Sequence, residues 1–83
     1  MRLNRGEEAL NHYKKAKELG RDDIGLNSEM GYCLDSLERW EEALPYLEKA
    51  RELGRDDRWI NSEIGFCLNR LDRFEEGLLY FEK

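Results

Sequence analysis

This chain has one histidine, two cysteines, one proline and no excess of basic residues, and each shortage removes a class of function. His12 lies beside Asn11 on the polar side of a helical pattern, so it is expected in solvent. With no second histidine near Cys33 or Cys67, neither a zinc site nor a Cys–His nucleophile pair can be assembled. A net charge of −5 argues against a nucleic-acid groove, which needs clustered Lys and Arg to displace counterions. No apolar run approaches the roughly 18 residues of a membrane span, and nothing at the start resembles a signal segment. No glycine cluster has the pattern of a phosphate loop. Catalysis and cofactor binding therefore find no foothold, and the chain is expected not to be an enzyme.

What is present is repetition. Leu19-Gly20-Arg21-Asp22-Asp23 returns 34 residues later as Leu53-Gly54-Arg55-Asp56-Asp57. Asn27-Ser28-Glu29 returns as Asn61-Ser62-Glu63, and Gly31, Cys33, Leu34 and Leu37 return as Gly65, Cys67, Leu68 and Leu71. Arg39-Trp40-Glu41-Glu42-Ala43-Leu44 becomes Arg73-Phe74-Glu75-Glu76-Gly77-Leu78. A fixed period in this range marks units stacked along one axis. At 83 residues the chain is one small domain or a piece of a longer array. A globule of this size buries only about 60–65% of its unfolded surface. Acidic and basic residues alternate rather than run in blocks, which disfavours disorder.

Within each period the apolar residues recur at three and four, the spacing of an amphipathic helix. The first stripe is Ala9, Leu10, Tyr13, Ala16 and Leu19. Leu26, Met30, Cys33, Leu34 and Leu37 form the next; Trp40, Ala43, Leu44, Leu47 and Ala50 follow after the turn Glu38-Arg39. Ile60, Ile64, Cys67, Leu68 and Leu71 and then Phe74, Leu78 and Phe81 repeat them. Five helices result, with antiparallel neighbours where the turns are short. Gly20 and Gly54 are expected to end helices as left-handed residues, and the following aspartates to cap the next ones. Gly31 and Gly65, inside helices, predict a close approach by a partner helix, since glycine there costs about 1 kcal/mol relative to alanine. Pro45 is expected to loosen or bend the start of its helix. The pairs Glu7-Glu8, Glu41-Glu42 and Glu75-Glu76 sit at helix starts, where the dipole favours them as solvated charges.

A 34-residue helix–turn–helix unit with small residues at these places resembles the tetratricopeptide repeat. The residues that carry the resemblance are Gly31 and Gly65, Ala9, Ala43 and Gly77, Ala16 and Ala50, the large Tyr13, Leu47 and Phe81, and the aromatic Trp40 and Phe74. It implies an all-α, right-handed solenoid of stacked antiparallel helix pairs. Residues 1–23 would hold the second helix of one repeat, 24–57 a complete repeat, and 58–83 a repeat cut within its second helix. Met1 to Asn4 align with the end of a first helix, and both ends of the chain are expected to fall inside repeats. Two departures stand out: Arg21 and Arg55 replace the proline usual between repeats, and Asn27 and Asn61 replace a frequent tryptophan. Buried asparagines in those places would need hydrogen-bond partners.

The resemblance also implies binding of a protein or peptide on the concave face lined by the first helices. By register that face offers Ser28, Tyr32, Asp35 and Ser36 from one repeat, and Trp59, Ser62, Phe66, Asn69 and Arg70 from the next. Two rings, an indole and an arginine match the composition of interface hot spots. Tyr32 and Phe66 could alternatively pack on neighbouring helices and only floor the groove. Members that clamp a C-terminal carboxylate carry Lys where this chain has Ser28 and Ser62, and Asn where it has Tyr32 and Phe66, so that clamp is missing. The alternative is self-association into a homo-oligomer through uncapped ends, with Leu10, Tyr13 and Ala16 open on one side and Leu78, Tyr80 and Phe81 on the other. Cys33 and Cys67 occupy equivalent sites expected about 8–10 Å apart, too far for a disulfide. They read as small buried residues of a reducing compartment, the cytoplasm.

Overall fold

The computed structural model describes residues 5–82, so Met1 to Asn4, with the alignment drawn for them above, and Lys83 lie outside the described residues. Five helices follow one another: α1 (Arg5–Glu18), α2 (Ile24–Ser36), α3 (Trp40–Glu52), α4 (Arg58–Arg70) and α5 (Phe74–Phe81). No strand occurs among the described residues. The pairs α2–α3 and α4–α5 form the most extensive contacts; α1 packs on α2, α3 on α4, and α2 touches α4. This is an all-α stack of antiparallel helix pairs, an α-solenoid.

One continuous core runs through it. Leu10 of α1, Leu26, Met30 and Leu34 of α2, Ala43, Leu44, Leu47 and Ala50 of α3, and Ile60, Ile64, Cys67 and Leu68 of α4 are all buried. Ala43 and Ala50 are fully buried in α3, which packs on both α2 and α4. The closest approach is at Gly31, where an added Cβ would lie 2.5 Å from Leu47 Cδ2 and 2.6 Å from its Cγ. Gly65 is in the same position against Phe81, at 3.0 Å. Gly31 and Gly65 thus sit where a partner side chain packs closely on the helix.

The turns are of two kinds. After α1 and α3 the chain passes through Gly20 (φ 101°) and Gly54 (φ 125°), the left-handed residues expected there. Asp23 and Asp57 then cap α2 and α4, their carboxylates accepting from Leu26 N at 2.8 Å and Ile60 N at 2.9 Å. Hydrogen bonds hold the carboxyls of Asp23 and Asp57 below their ordinary range, Asp23 chiefly through Arg21 and Asp57 chiefly through the Ile60 amide. The preceding aspartates do something else. Asn27 and Asn61 are buried, and their amide groups donate to Asp22 at 2.8 Å and Asp56 at 2.9 Å. Only one aspartate of each pair is a cap; its neighbour supplies the partner that a buried asparagine needs.

After α2 and α4 the left-handed residues are Glu38 (φ 61°) and Asp72 (φ 62°). Arg39 N donates to Leu34 O at 2.8 Å and Glu38 N to Asp35 O at 2.9 Å, the paired bonds of a Schellman ending formed without glycine. α3 continues through the exposed Pro45 as one helix. Leu19 departs from the expected stripe: it is 78% exposed, because it lies past the end of α1, where the chain turns at Gly20.

Two outcomes test this packing. Gly31→Ala should lower stability by about 1–2 kcal/mol in urea unfolding, the overpacking against Leu47 exceeding the gain in helix propensity. Glu38→Gly should raise the urea midpoint, adding about 0.5–1 kcal/mol by relieving a left-handed residue that carries a Cβ.

Candidate concave-face site

The first helices of the two pairs, α2 and α4, meet side by side, and their facing residues build the candidate surface. Tyr32, half-way along α2, is 52% exposed, and its ring centroid lies 6.3 Å from that of Trp59 at the start of α4, tilted by 47°. The half-buried Trp59 carries the guanidinium of Arg55 over its ring, 4.1 Å from the centroid. Arg55 is fixed there by its bond to Asp57 at 3.2 Å. Two turns further along α4, Phe66 is 41% exposed, with the Arg70 guanidinium 5.3 Å from its ring and 5.0 Å from that of Trp40. The surface is therefore a run of rings with two arginines laid on them, a contact worth about 0.5–1 kcal/mol each at exposed positions.

Other residues predicted for this face are distributed differently. Ser36 is exposed and Ser62 half-buried. Ser28 is only 3% exposed and its hydroxyl has no protein partner, so it lies beneath the face and offers nothing to a ligand. Asn69 turns its amide oxygen to α5, filling the hollow over Gly77; a Cβ there would lie 2.6 Å from it. It supports the α4–α5 pair and is withdrawn from the groove.

Asp35 has a role that its position alone does not suggest. Cys67 Sγ of α4 lies 4.0 Å from its Oδ1. Burial first, then the neighbouring Asp35, push the Glu63 carboxyl up to about 7. The same burial, with both neighbouring carboxylates, pushes the Cys67 thiol up to about 12. The Tyr13 phenol of α1 is pushed up to about 12, first by Glu29, the residue equivalent to Glu63, and then by burial. Glu63, Arg55 and Trp40 were missing from the residues predicted for the site. Their sequence signal is weak, because each joins it through a partner 4 to 30 residues away.

At the ends, Leu10 is buried, while Tyr13 and Ala16 pack on the core, because α1 spends this stripe on α2. The prediction that they stand open is corrected. Tyr80 is also half-buried, with Arg51 5.5 Å from its ring. Leu78 and Phe81 are exposed as expected, together with Phe74 and Leu79. Among the described residues there is no group of His, Cys, Asp and Glu able to hold a metal, and no helix is long and apolar enough to cross a membrane. Cys33 and Cys67 are free thiols; Cys67 is buried as expected, Cys33 only half-buried.

No family profile and no curated protein sequence matches the chain. Among solved structures it is similar to YrrB, described as a TPR protein with an unusual peptide-binding site. The two superpose with a TM-score of 0.87 and 32% identity over 93% of this chain. The fold is that of the tetratricopeptide repeat (TPR). This TPR-like chain spans 40% of the length of YrrB.

The ring surface of this TPR fold should be separable from its core. Trp59→Ala should leave the helical circular-dichroism spectrum intact and cost about 1–2 kcal/mol, the loss of one ring pair and one arginine stack.

Proposed function

We propose that this TPR-like protein is a non-catalytic scaffold that binds a protein or peptide segment on the face formed by α2 and α4. The observation that carries the reading is the run of partly exposed rings, Tyr32, Trp59 and Phe66, flanked by Arg55 and Arg70. Rigid aromatic and arginine side chains provide binding energy at little entropic cost, and those of this face are already held by one another. The peptide-binding site named for YrrB, a protein of the same fold, supports the assignment. Ser36, Ser62 and Asp35 border the rings and supply polar contacts. Free cysteines fit a reducing compartment, and we place the protein in the cytoplasm.

A second reading is favoured by one observation at the other end of the molecule. Phe74, Leu78, Leu79 and Phe81 of the short α5 are all exposed, and exposed apolar side chains on one short helix promote association. A homo-oligomer formed through α5 would leave the ring surface free.

A displayed library of random peptides, selected on the immobilised protein, tests the first reading. Binders should be recovered, and Trp59→Ala with Arg70→Ala should weaken them at least tenfold, about 1.4 kcal/mol. Binders indifferent to both changes but lost with Leu78→Ser and Phe81→Ser would shift the assignment to α5. Sedimentation equilibrium of the same variants reads the second: association that the α5 changes abolish and the ring changes preserve.

A further inference from the structure

The second helices of the two pairs, α3 and α5, carry the same apolar face in different surroundings. Trp40, Leu44 and Leu47 of α3 recur 34 residues on as Phe74, Leu78 and Phe81 of α5. Each helix lies against its own first helix, Leu47 over Gly31 of α2 and Phe81 over Gly65 of α4. Yet Leu44 and Leu47 are 5% and 0% exposed, whereas Leu78 and Phe81 are 56% and 48% exposed. Trp40 is half-buried and Phe74 is exposed. The difference is a second neighbour: α3 packs on α4 as well as on α2, while among the described residues α5 packs on α4 alone. Leu79 stands where α3 has the exposed Pro45, and so lies off this face.

Two contacts show how α4 closes the face of α3. The Arg70 guanidinium lies 5.0 Å from the centre of the Trp40 ring. Leu71, the residue that ends α4, lines a hollow of about 330 Å³ formed by residues 38–42 at the start of α3. A matching hollow of about 340 Å³ opens at the start of α5, lined by Asp72, Arg73, Phe74, Glu75 and Glu76, with no residue of a further helix among the described residues. Its rim is acidic. Against the three carboxyl groups stands one cation, Arg73, and it already bonds Glu76 at 2.8 Å.

We propose that the Phe74–Leu78–Phe81 face of α5 is a docking site for an amphipathic helix of another protein, built as α4 is built. Such a helix carries an apolar stripe spaced like Ile60, Ile64, Cys67 and Leu68 and ends in a basic residue followed by a leucine, like Arg70 and Leu71. Its stripe lies on Leu78 and Phe81 in the way α4 lies on α3. The basic residue meets Phe74 and the acidic rim, and the leucine enters the hollow. Helices dock in apolar grooves through anchors at this spacing. The site is separate from the ring surface of α2 and α4. It shares α5 with the self-association reading but names a different occupant, so the two fail separately.

A synthetic peptide of residues 56–72, the α4 segment with its cap and turn, is the probe. Labelled with fluorescein and titrated with the whole protein under reducing conditions, it should bind saturably with a Kd below about 1 mM. Leu78→Ser in the protein should weaken it at least about tenfold. Phe74→Ser should act likewise, and because both side chains are exposed each variant should keep its urea midpoint within about 0.5 M of wild type. A peptide carrying Arg70→Glu should bind at least about threefold more weakly, since it brings a carboxylate to an acidic rim. No saturable binding at about 1 mM peptide, or equal affinity for wild type and both α5 variants, would overturn the proposal. Binding lost with Trp59→Ala but kept in the α5 variants would overturn it too, by placing the peptide on the ring surface. So would sedimentation equilibrium that shows dimers through α5 which the peptide fails to dissociate, since a second copy would then be the occupant.

Discussion

The contact on which the rest of this structure depends is the seating of Leu47 over Gly31. It brings α3 so close to α2 that a single added carbon would overlap the leucine side chain. That proximity buries Leu47 completely, and α3 in turn packs on α4. Gly65 under Phe81 repeats the device in the next pair, less tightly. A helix interior tolerates glycine poorly, so each glycine exchanges local helix preference for close packing. The α2–α4 surface exists because these pairs are rigid enough to hold two first helices side by side.

Polar groups fix where the pairs begin and how they join. One aspartate caps each first helix while its neighbour holds a buried asparagine, so two adjacent carboxylates serve a backbone end and a side chain at once. Surface pairs such as Arg39–Glu42 and Arg51–Asp56 contribute little by comparison, being exposed and screened. At the seam between α2 and α4, burial and the neighbouring Asp35 push the Glu63 carboxyl up to about 7.

Much of the fold was legible because the same letters recur at one interval. Gly20 and Gly54 declare turns, and Gly31 and Gly65 declare close contacts, since glycine has few other reasons to recur there. At the equivalent turns only the left-handed conformation was hidden: glutamate and aspartate also suit helix starts, so the residue type of Glu38 and Asp72 does not show it. The candidate surface was less legible. Ser28 and Asn69 lie at the borders of the helical stripe, where a small rotation separates groove from interior, and packing decides the outcome. Asp35 and Glu63 meet only through stacking of two helices that are not consecutive, and no local pattern announces such a pair. The end stripe Leu10–Tyr13 read as open, whereas α2 takes it.

A double-mutant cycle between Gly31 and Leu47 tests the central contact most directly. Leu47→Ala alone should cost about 2–5 kcal/mol through the cavity it leaves. With Gly31→Ala added, the new methyl should enter that space, so the double variant should be more stable than the two separate losses predict by about 1–2 kcal/mol. Strictly additive losses would mean that the helices do not meet at these two residues, and the account of how the α2–α4 surface is held together would fail.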